Sequence, residues 1–291
     1  MKAVISGYDG FIGSHLASAI TLMGIQVIPI HRNLLYSAPD LKGFFMKENP
    51  DYIFHLAAYG NMASQKDIPT IFAANLVSGF NMLNESADIR YRAFINFGTS
   101  SEYGRKSKAM SEEDFLAPET FYAATKAGLT HLAGVFAKQL CKPIFTVRPF
   151  SVYGPAEADF RFIPTVIRSI LTGIPFPLDE NANHDWVYID DFIEAILLVI
   201  KNVNHLCGKY SVINIGSGHM YSNKEVCETL KKIVGKDYSA TPVTGLRTGA
   251  SQVWQSGNEI ISTLGFQPKF TLTQGLARTF NYYREKYEIK P

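Results

Sequence analysis

The sequence predicts an α/β fold: a doubly wound parallel sheet carrying a smaller C-terminal lobe. Three observations predict it. Short β-branched runs alternate with longer helical patterns along the first two hundred or so residues. Those runs are almost continuously apolar, as strands covered on both faces are. A glycine-rich turn joins the first run to the first helical pattern, at the edge where such sheets hold ligands.

The strand-like runs are KAVIS (2–6), QVIPI (26–30), DYIFHLAA (51–58), AFINFG (93–98), PIFTVRPF (143–150) and SVINIG (211–216). Helical patterns lie between them at about 11–23, 68–87, 120–140 and 190–203. The stretch 33–48 is short and leaves room only for a reduced third strand, LLYS. After Phe150 the texture changes: Pro155, Pro164, Pro175 and Pro177 interrupt any regular alternation between 155 and 183. Two further helical patterns follow near 222–234 and 271–287. The expected division is a sheet domain of 1–154 plus about 186–216, and a cleft-covering lobe of about 155–185 plus 217–291.

The totals narrow the function classes. A chain of 291 residues, 46% apolar, can bury a sizeable core. A net charge of +2 gives no reason to expect nucleic acid or an anionic membrane as partner. Cys141, Cys207 and Cys227 are scattered and form no CxxC pair, so free thiols are expected rather than disulfides or a metal site. The longest apolar run, AILLVI at 195–200, is far too short to span a membrane. Met1 and Lys2 lead directly into AVIS and the glycine turn without a signal-peptide pattern, so a soluble cytoplasmic protein is expected.

Three motifs carry chemistry. In GYDGFIG, Gly7, Gly10 and Gly13 stand after a strand and open a helix. Glycines there allow a tight turn and a close backbone approach to a pyrophosphate at the helix N-terminus, although three glycines also make an ordinary turn. In YAATK, Tyr122 and Lys126 are four apart and share a helix face, so a cation stands beside a phenol; the same spacing also describes a plain helix surface. In NFGTSSEYG, the hydroxyls of Thr99, Ser100 and Ser101 follow a buried-looking strand and can donate to a carbonyl oxygen, or simply bond their own turn.

The order and spacing of these three motifs resemble the extended short-chain dehydrogenase/reductase superfamily, with its Rossmann-like sheet. NPDYIFHLAA, ANLVSGFNML, VRPFSVYGP, HDWVYIDDFIEAI and INIGSG resemble its branch acting on nucleotide sugars, and the likeness runs from residue 2 to about 285. The resemblance implies Tyr122 as acid/base, Lys126 as the cation that lowers its pKa and holds the nicotinamide ribose, and Thr99 as the hydroxyl polarising the substrate oxygen. It implies cofactor contacts from Gly7, Asp9, Gly10, Phe11, Ile12, Gly13, His31, Arg32, Leu56, Ala57, Ala58 and Asn75, besides Tyr122 and Lys126. Substrate contacts are expected from Ser100, Ser101, Ser151 and Arg247, and no metal is expected. His55, beside the small residues Ala57 and Ala58, reads as structural.

Departures from the family pattern refine this expectation. Family dehydratases carry Asp-Glu after the catalytic threonine; here Ser100 and Ser101 occupy those places. Glu102 is displaced by one, which in an extended segment reverses its face, so dehydration is not expected. Ser151 replaces an asparagine and His184 an arginine, leaving Arg161, Arg168 and Arg247 as candidate cations for a nucleotide diphosphate. After the second run, His31 and Arg32 stand where a carboxylate would hold the ribose of NAD. Arginine there suits the 2′-phosphate of NADP, although an exposed basic turn is the plainer reading.

The favoured expectation is therefore an NADPH-dependent ketoreductase acting on a nucleotide-linked 4-keto-6-deoxy sugar, with NADP(H) preferred and NAD(H) as the other cofactor. The alternative is an NAD-dependent nucleotide-sugar 4-epimerase, and the third class a non-catalytic NADP-binding relative. The family's dimer mode implies a homodimer through 68–87 and 120–140, where Ala123, Ala124, Ala127, Gly128, Leu129 and Leu132 suit close helix packing.

Overall fold

The computed structural model describes residues 1–62, 64–209, 211–243 and 253–288. Strand β1 (Lys2–Ser6) enters the glycine turn and α1 (Phe11–Leu22), and β2 (Gln26–Ile30) follows. Next come α2 (Ala38–Glu48), β3 (Tyr52–His55), α3 (Ile68–Phe72), α4 (Ser78–Glu85), β4 (Ala93–Phe97), α5 (Phe121–Gln139) and β5 (Ile144–Pro149). The chain continues through β6 (Ser151–Tyr153), α6 (Phe162–Thr172), β7 (Phe176–Leu178), β8 (Asn183–Tyr188), α7 (Ile189–Lys201), α8 (Val203–Leu206) and β9 (Val212–Ile215). It closes with β10 (Met220–Ser222), α9 (Asn223–Val234), β11 (Ala240–Pro242), α10 (Glu259–Thr263) and α11 (Leu272–Glu288).

The main sheet has the order β2-β1-β3-β4-β5-β9 and is parallel throughout. Successive side chains alternate between its two faces. Ala3, Ile5, Phe54, Ile95 and Phe97 enter the large core with α1 and α7, while Val4, Ile53 and Phe94 enter the core under α2, α4 and α5. Both faces are covered, which is why the strands read as nearly unbroken apolar runs. Pro29 is tolerated because β2 is an edge strand, paired only with β1. The chain steps from β1 outward to β2 and then to β3 on the other side, so the crevice opens above the carboxyl ends of β1 and β3.

Four expectations are corrected. There is no third strand at LLYS: Arg32–Tyr36 forms a 3₁₀ turn, and 38–48 is helical. Leu35 is buried there, and its carbonyl accepts the Asn81 side-chain amide at 2.9 Å, which takes the place of a ladder bond. The span 68–87 is not one uniform helix, because Ala73–Val77 winds as a π turn. The stretch 155–183 contains the regular helix α6, with Pro164 in the first turn, where its missing N–H has no intrahelical partner to lose. Finally, residues 186–188 do not return to the main sheet. They belong to β8, in a separate sheet of order β10-β8-β6; only β9 rejoins the parallel sheet.

The lobe is fastened by two carboxylates. Asp185, on β8, accepts the Ser217, Gly218 and Ser256 amides, and Asp191, on α7, accepts those of Lys269 and Phe270. One apolar core runs from Ile5 through Phe192 and Ile196 to Leu276 and Tyr283, so the lobe and the sheet share an interior. Among the described residues, no helix is long and apolar enough to cross a membrane. Cys141, Cys207 and Cys227 are free.

Candidate active site

A cavity of about 400 Å³ lies at the carboxyl ends of β1, β3, β4 and β5. Its floor is the glycine turn. Gly7 has φ +69°, and a Cβ there would stand 3.0 Å from the Ala57 amide nitrogen. A Cβ on Gly13 would lie 2.1 Å from the Gly7 carbonyl oxygen, so only glycine lets α1 begin this close to β1. Gly10 caps α1 without a side-chain hydrogen bond, and the first helical turn holds no acid. Its amides are left open beside the cavity, together with Phe11, Ile12, Leu56 and Ala58, which line it. That cradle fits the pyrophosphate of a dinucleotide.

Above it stand Thr99, Tyr122 and Lys126, all lining the same cavity. Thr99 caps the 3₁₀ turn Ser100–Tyr103 that follows β4. The Thr120 hydroxyl accepts the Ala123 amide at 3.1 Å and starts α5 there, which places Tyr122 and Lys126 on one face over the sheet. Burial pushes the Tyr122 phenol up to about 12, with the Glu102 charge acting the same way. A hydrogen bond with the Thr99 side chain and the charge of Arg161 oppose that rise. Lys126, only 2% exposed, is held down to about 8 by burial, with Glu102 opposing.

Glu102 does not follow an extended segment as expected. The 3₁₀ turn folds its buried carboxylate back behind Thr99, where Oε1 accepts the Thr99 amide at 2.8 Å and Oε2 accepts Arg148 Nε at 2.9 Å. Arg148 also donates to the Tyr103 hydroxyl at 2.7 Å, and that hydroxyl donates to Asn214 at 2.7 Å. The acid is fully engaged in holding the turn and does not line the cavity. Ser100 and Ser101 do line it, and Ser100 Oγ accepts Trp254 Nε1 at 3.2 Å. Ser151 lines it as well, with Oγ 3.3 Å from His184 Nδ1.

Other candidates lie elsewhere. Asp9 is exposed in the turn, and Ala57 donates its amide to Ser6 Oγ at 3.3 Å; neither lines the cavity. Asn75 is fully buried in the π turn, its amide bonded to both the N–H and C=O of Tyr59 and to Thr125. It fastens α3–α5 to the loop after β3 and makes no cavity wall. His31 and Arg32 are exposed at the end of β2, outside the cavity lining. Arg168, on α6, is outside it too, whereas Arg161 lines it. Arg247 falls outside the described residues. His55 pairs with Ser6 Oγ at 2.8 Å, and burial, helped by the Lys126 charge, holds it down to about 3, a neutral imidazole within the fold. Among the described residues no cluster of His, Cys, Asp or Glu is arranged to hold a metal.

Sequence reasoning missed Glu157, Phe160 and Trp254 in the cavity wall. An acid two places after Pro155 of the Tyr-Gly-Pro turn was the available signal for Glu157. Trp254, far along the chain, had none, because the bridge between Met110 and Ser256 that brings its segment to the cavity is purely tertiary.

A model of the NAD dependent epimerase/dehydratase family matches residues 3–216. The uncharacterized UDP-glucose epimerase YtcB of Bacillus subtilis is 26% identical over 99% of both chains. A UDP-glucuronate 4-epimerase of Thermodesulfobacterium geofontis is 26% identical over 86% of this chain and 77% of its own. Among solved structures, the UDP-glucuronic acid 4-epimerase of Bacillus cereus, in complex with UDP-glucuronic acid and NAD, superposes with a TM-score of 0.88 at 28% identity. That match covers 99% of this chain and 100% of the other.

Proposed function

The chain belongs to the NAD dependent epimerase/dehydratase family, and from that premise we propose that it is a nucleotide-sugar 4-epimerase using NAD. This replaces the ketoreductase as the leading reading, because epimerases stand among the relatives that match along nearly the whole chain, beside dehydratases and a trifunctional enzyme with a reductase activity. The observation that carries it is the shared cavity of Thr99, Tyr122, Lys126 and the glycine cradle, with Glu102, the acid beside Thr99, turned onto Arg148 and out of the lining. Such a site can move one proton on one sugar oxygen, while Ser100 and Ser101 stand where family dehydratases carry their Asp-Glu pair.

The roles follow from placement. The glycine turn and the open amides of α1 hold the pyrophosphate, and Lys126 stands where a ribose would be held. The Thr99 hydroxyl orients the reacting oxygen, and Tyr122 takes and returns its proton. A bound oxidised nicotinamide would accept a hydride from the sugar carbon and return it to the same carbon. We assign the sugar nucleotide to the wall formed by residues 149–161 and Trp254, on the side of the smaller lobe.

A second reading, the NADPH-dependent 4-ketoreductase, has two observations in its favour. Arg32 is exposed at the end of β2 with no ion pair among the described residues, and a Tyr122 raised to about 12 carries its proton at neutral pH. One experiment separates the two. Purified protein is denatured and the released nucleotide identified, then native protein is incubated with UDP-glucose without added cofactor. Retained NAD and formation of UDP-galactose support the epimerase. No retained nucleotide, with oxidation of NADPH by a nucleotide-linked 4-keto-6-deoxy sugar, replaces it with the reductase.

A homodimer through α3, α4 and α5 is part of this proposal. Phe72, Val77, Phe80, Phe121 and Val135 on those helices are 37–59% exposed, an apolar face that a second copy would cover. A monomeric mass in solution would remove it.

A further inference from the structure

One buried acid in the cavity wall has no part in the proton transfer described above. Glu157 is only 5% exposed, yet it lines the cavity. Its Oε1 lies 3.4 Å from Arg161 Nε, while its Oε2 is buried with no hydrogen-bond partner among the described residues. A buried carboxylate oxygen left unpaired is costly, and such atoms are found where a ligand completes the bonding.

The backbone around it is firmly determined. Ala156 adopts φ +65°, a left-handed conformation unfavourable for a residue with a Cβ. The surroundings hold it there: His15 Nε2 meets the Pro155 carbonyl at 2.9 Å, and the Tyr283 hydroxyl donates to the Glu157 carbonyl. Two helices remote in sequence, α1 and α11, thus fix the loop that delivers this one side chain to the cavity.

We propose that Glu157 reads the sugar: on a rotation that turns its carboxylate toward a bound ligand, its unpaired oxygen accepts a hydrogen bond from a hydroxyl of an uncharged hexose, and it disfavours a sugar bearing its own carboxylate. This rests on the nucleotide-sugar reading of the cavity. Arg161 would attract a uronate if it stood alone, but Glu157 neutralises it at the cavity wall. A second carboxylate brought into the same cavity meets repulsion that little water is present to screen.

The proposal has a pH signature. Burial raises Glu157 to about 7, with the Arg161 charge opposing. The groups facing it are Arg161 at the start of α6, His15 of α1, and Tyr283 of α11, with the Asp159–Lys286 pair just beyond. Above about pH 7 the carboxylate excludes a uronate; below it the neutral acid and the released Arg161 charge admit one.

The test measures dissociation constants of UDP, UDP-glucose and UDP-glucuronic acid for the holoenzyme and for Glu157→Gln, at about pH 6 and about pH 8. The natural chain is expected to prefer UDP-glucose by about tenfold or more at the higher pH and by much less at the lower. Glu157→Gln should narrow the gap at both and lose the pH trend; Glu157→Asp, which keeps the charge, should retain both. Equal or stronger binding of UDP-glucuronic acid by the natural chain at about pH 8 overturns the inference, as does a gap that Glu157→Gln leaves in place. Should that variant not fold, the pH trend of the natural chain decides alone. If UDP and both sugars fail to bind the natural chain, the nucleotide-sugar reading itself falls; if UDP binds but the sugars are not distinguished, only the role of Glu157 does.

Discussion

Arg148 and Glu102 form an ion pair at 2.9 Å whose side chains are 3% and 0% exposed, directly behind the turn that carries Thr99. Removing one partner strands the other as a buried charge. Arg148→Met is therefore expected to destabilise the fold by about 3–5 kcal/mol in urea titrations. Combining it with Glu102→Gln should recover part of that loss, because no uncompensated charge then remains. A loss of less than about 1 kcal/mol for Arg148→Met would show that the pair does not hold the turn.

Tyr122 and Thr99 line the same cavity, and the Thr99 side chain opposes the rise of the Tyr122 phenol. Tyr122→Phe removes the hydroxyl proposed to carry the proton and should lower turnover roughly a hundred- to ten-thousandfold. Binding of the nucleotide sugar should change only a few-fold, since the ring is kept. Steady-state rates and a binding isotherm read the two separately.

Lys126 ties stability to pH. Its ordinary pKa of 10.5 is lowered by burial to about 8 in the folded chain. Between these values the unfolded chain holds the proton and the folded chain does not, so this group's contribution to stability rises with pH over about 8 to 10.5. Below about 8 the folded chain carries a buried ammonium, and the penalty is fully present. Lys126→Met is thus expected to gain on the order of 1 kcal/mol at neutral pH, with the gain vanishing towards pH 10.5, while activity is lost. Denaturant melts at a series of pH values check it.

Gly13 tolerates no side chain. A Cβ would press on the Gly7 carbonyl at 2.1 Å, so Gly13→Ala should push α1 away from β1. A destabilisation of about 1–3 kcal/mol is expected, together with loss of retained dinucleotide. Thermal melts and the nucleotide released on denaturation report the two effects.

Much of the fold was legible because strand and helix signals are local. Apolar runs such as KAVIS and AFINFG, and the helical patterns between them, placed six strands and six helical segments to within a few residues. The errors fell where tertiary contacts override local preference. Leu34 and Leu35 look like a strand, yet Asn81 captures the Leu35 carbonyl and the chain coils. Proline looked like a breaker at 164, yet the first turn of a helix accepts it. Glu102 was judged by the geometry of an extended strand, and the 3₁₀ turn gave it another direction.

By itself, the sequence determined the doubly wound sheet, the glycine cradle and the neighbourhood of Tyr122 and Lys126, because each depends on spacings of a few residues along one element. The tertiary structure alone decided what those groups experience. It buried Lys126 and half-buried Tyr122, shifting both, turned Glu102 onto Arg148, withdrew Asn75 into the core, and brought Glu157 and Trp254 to the cavity from loops far apart in the chain. Burial and long-range pairing set a charge's energy, and neither is written in the order of neighbouring residues.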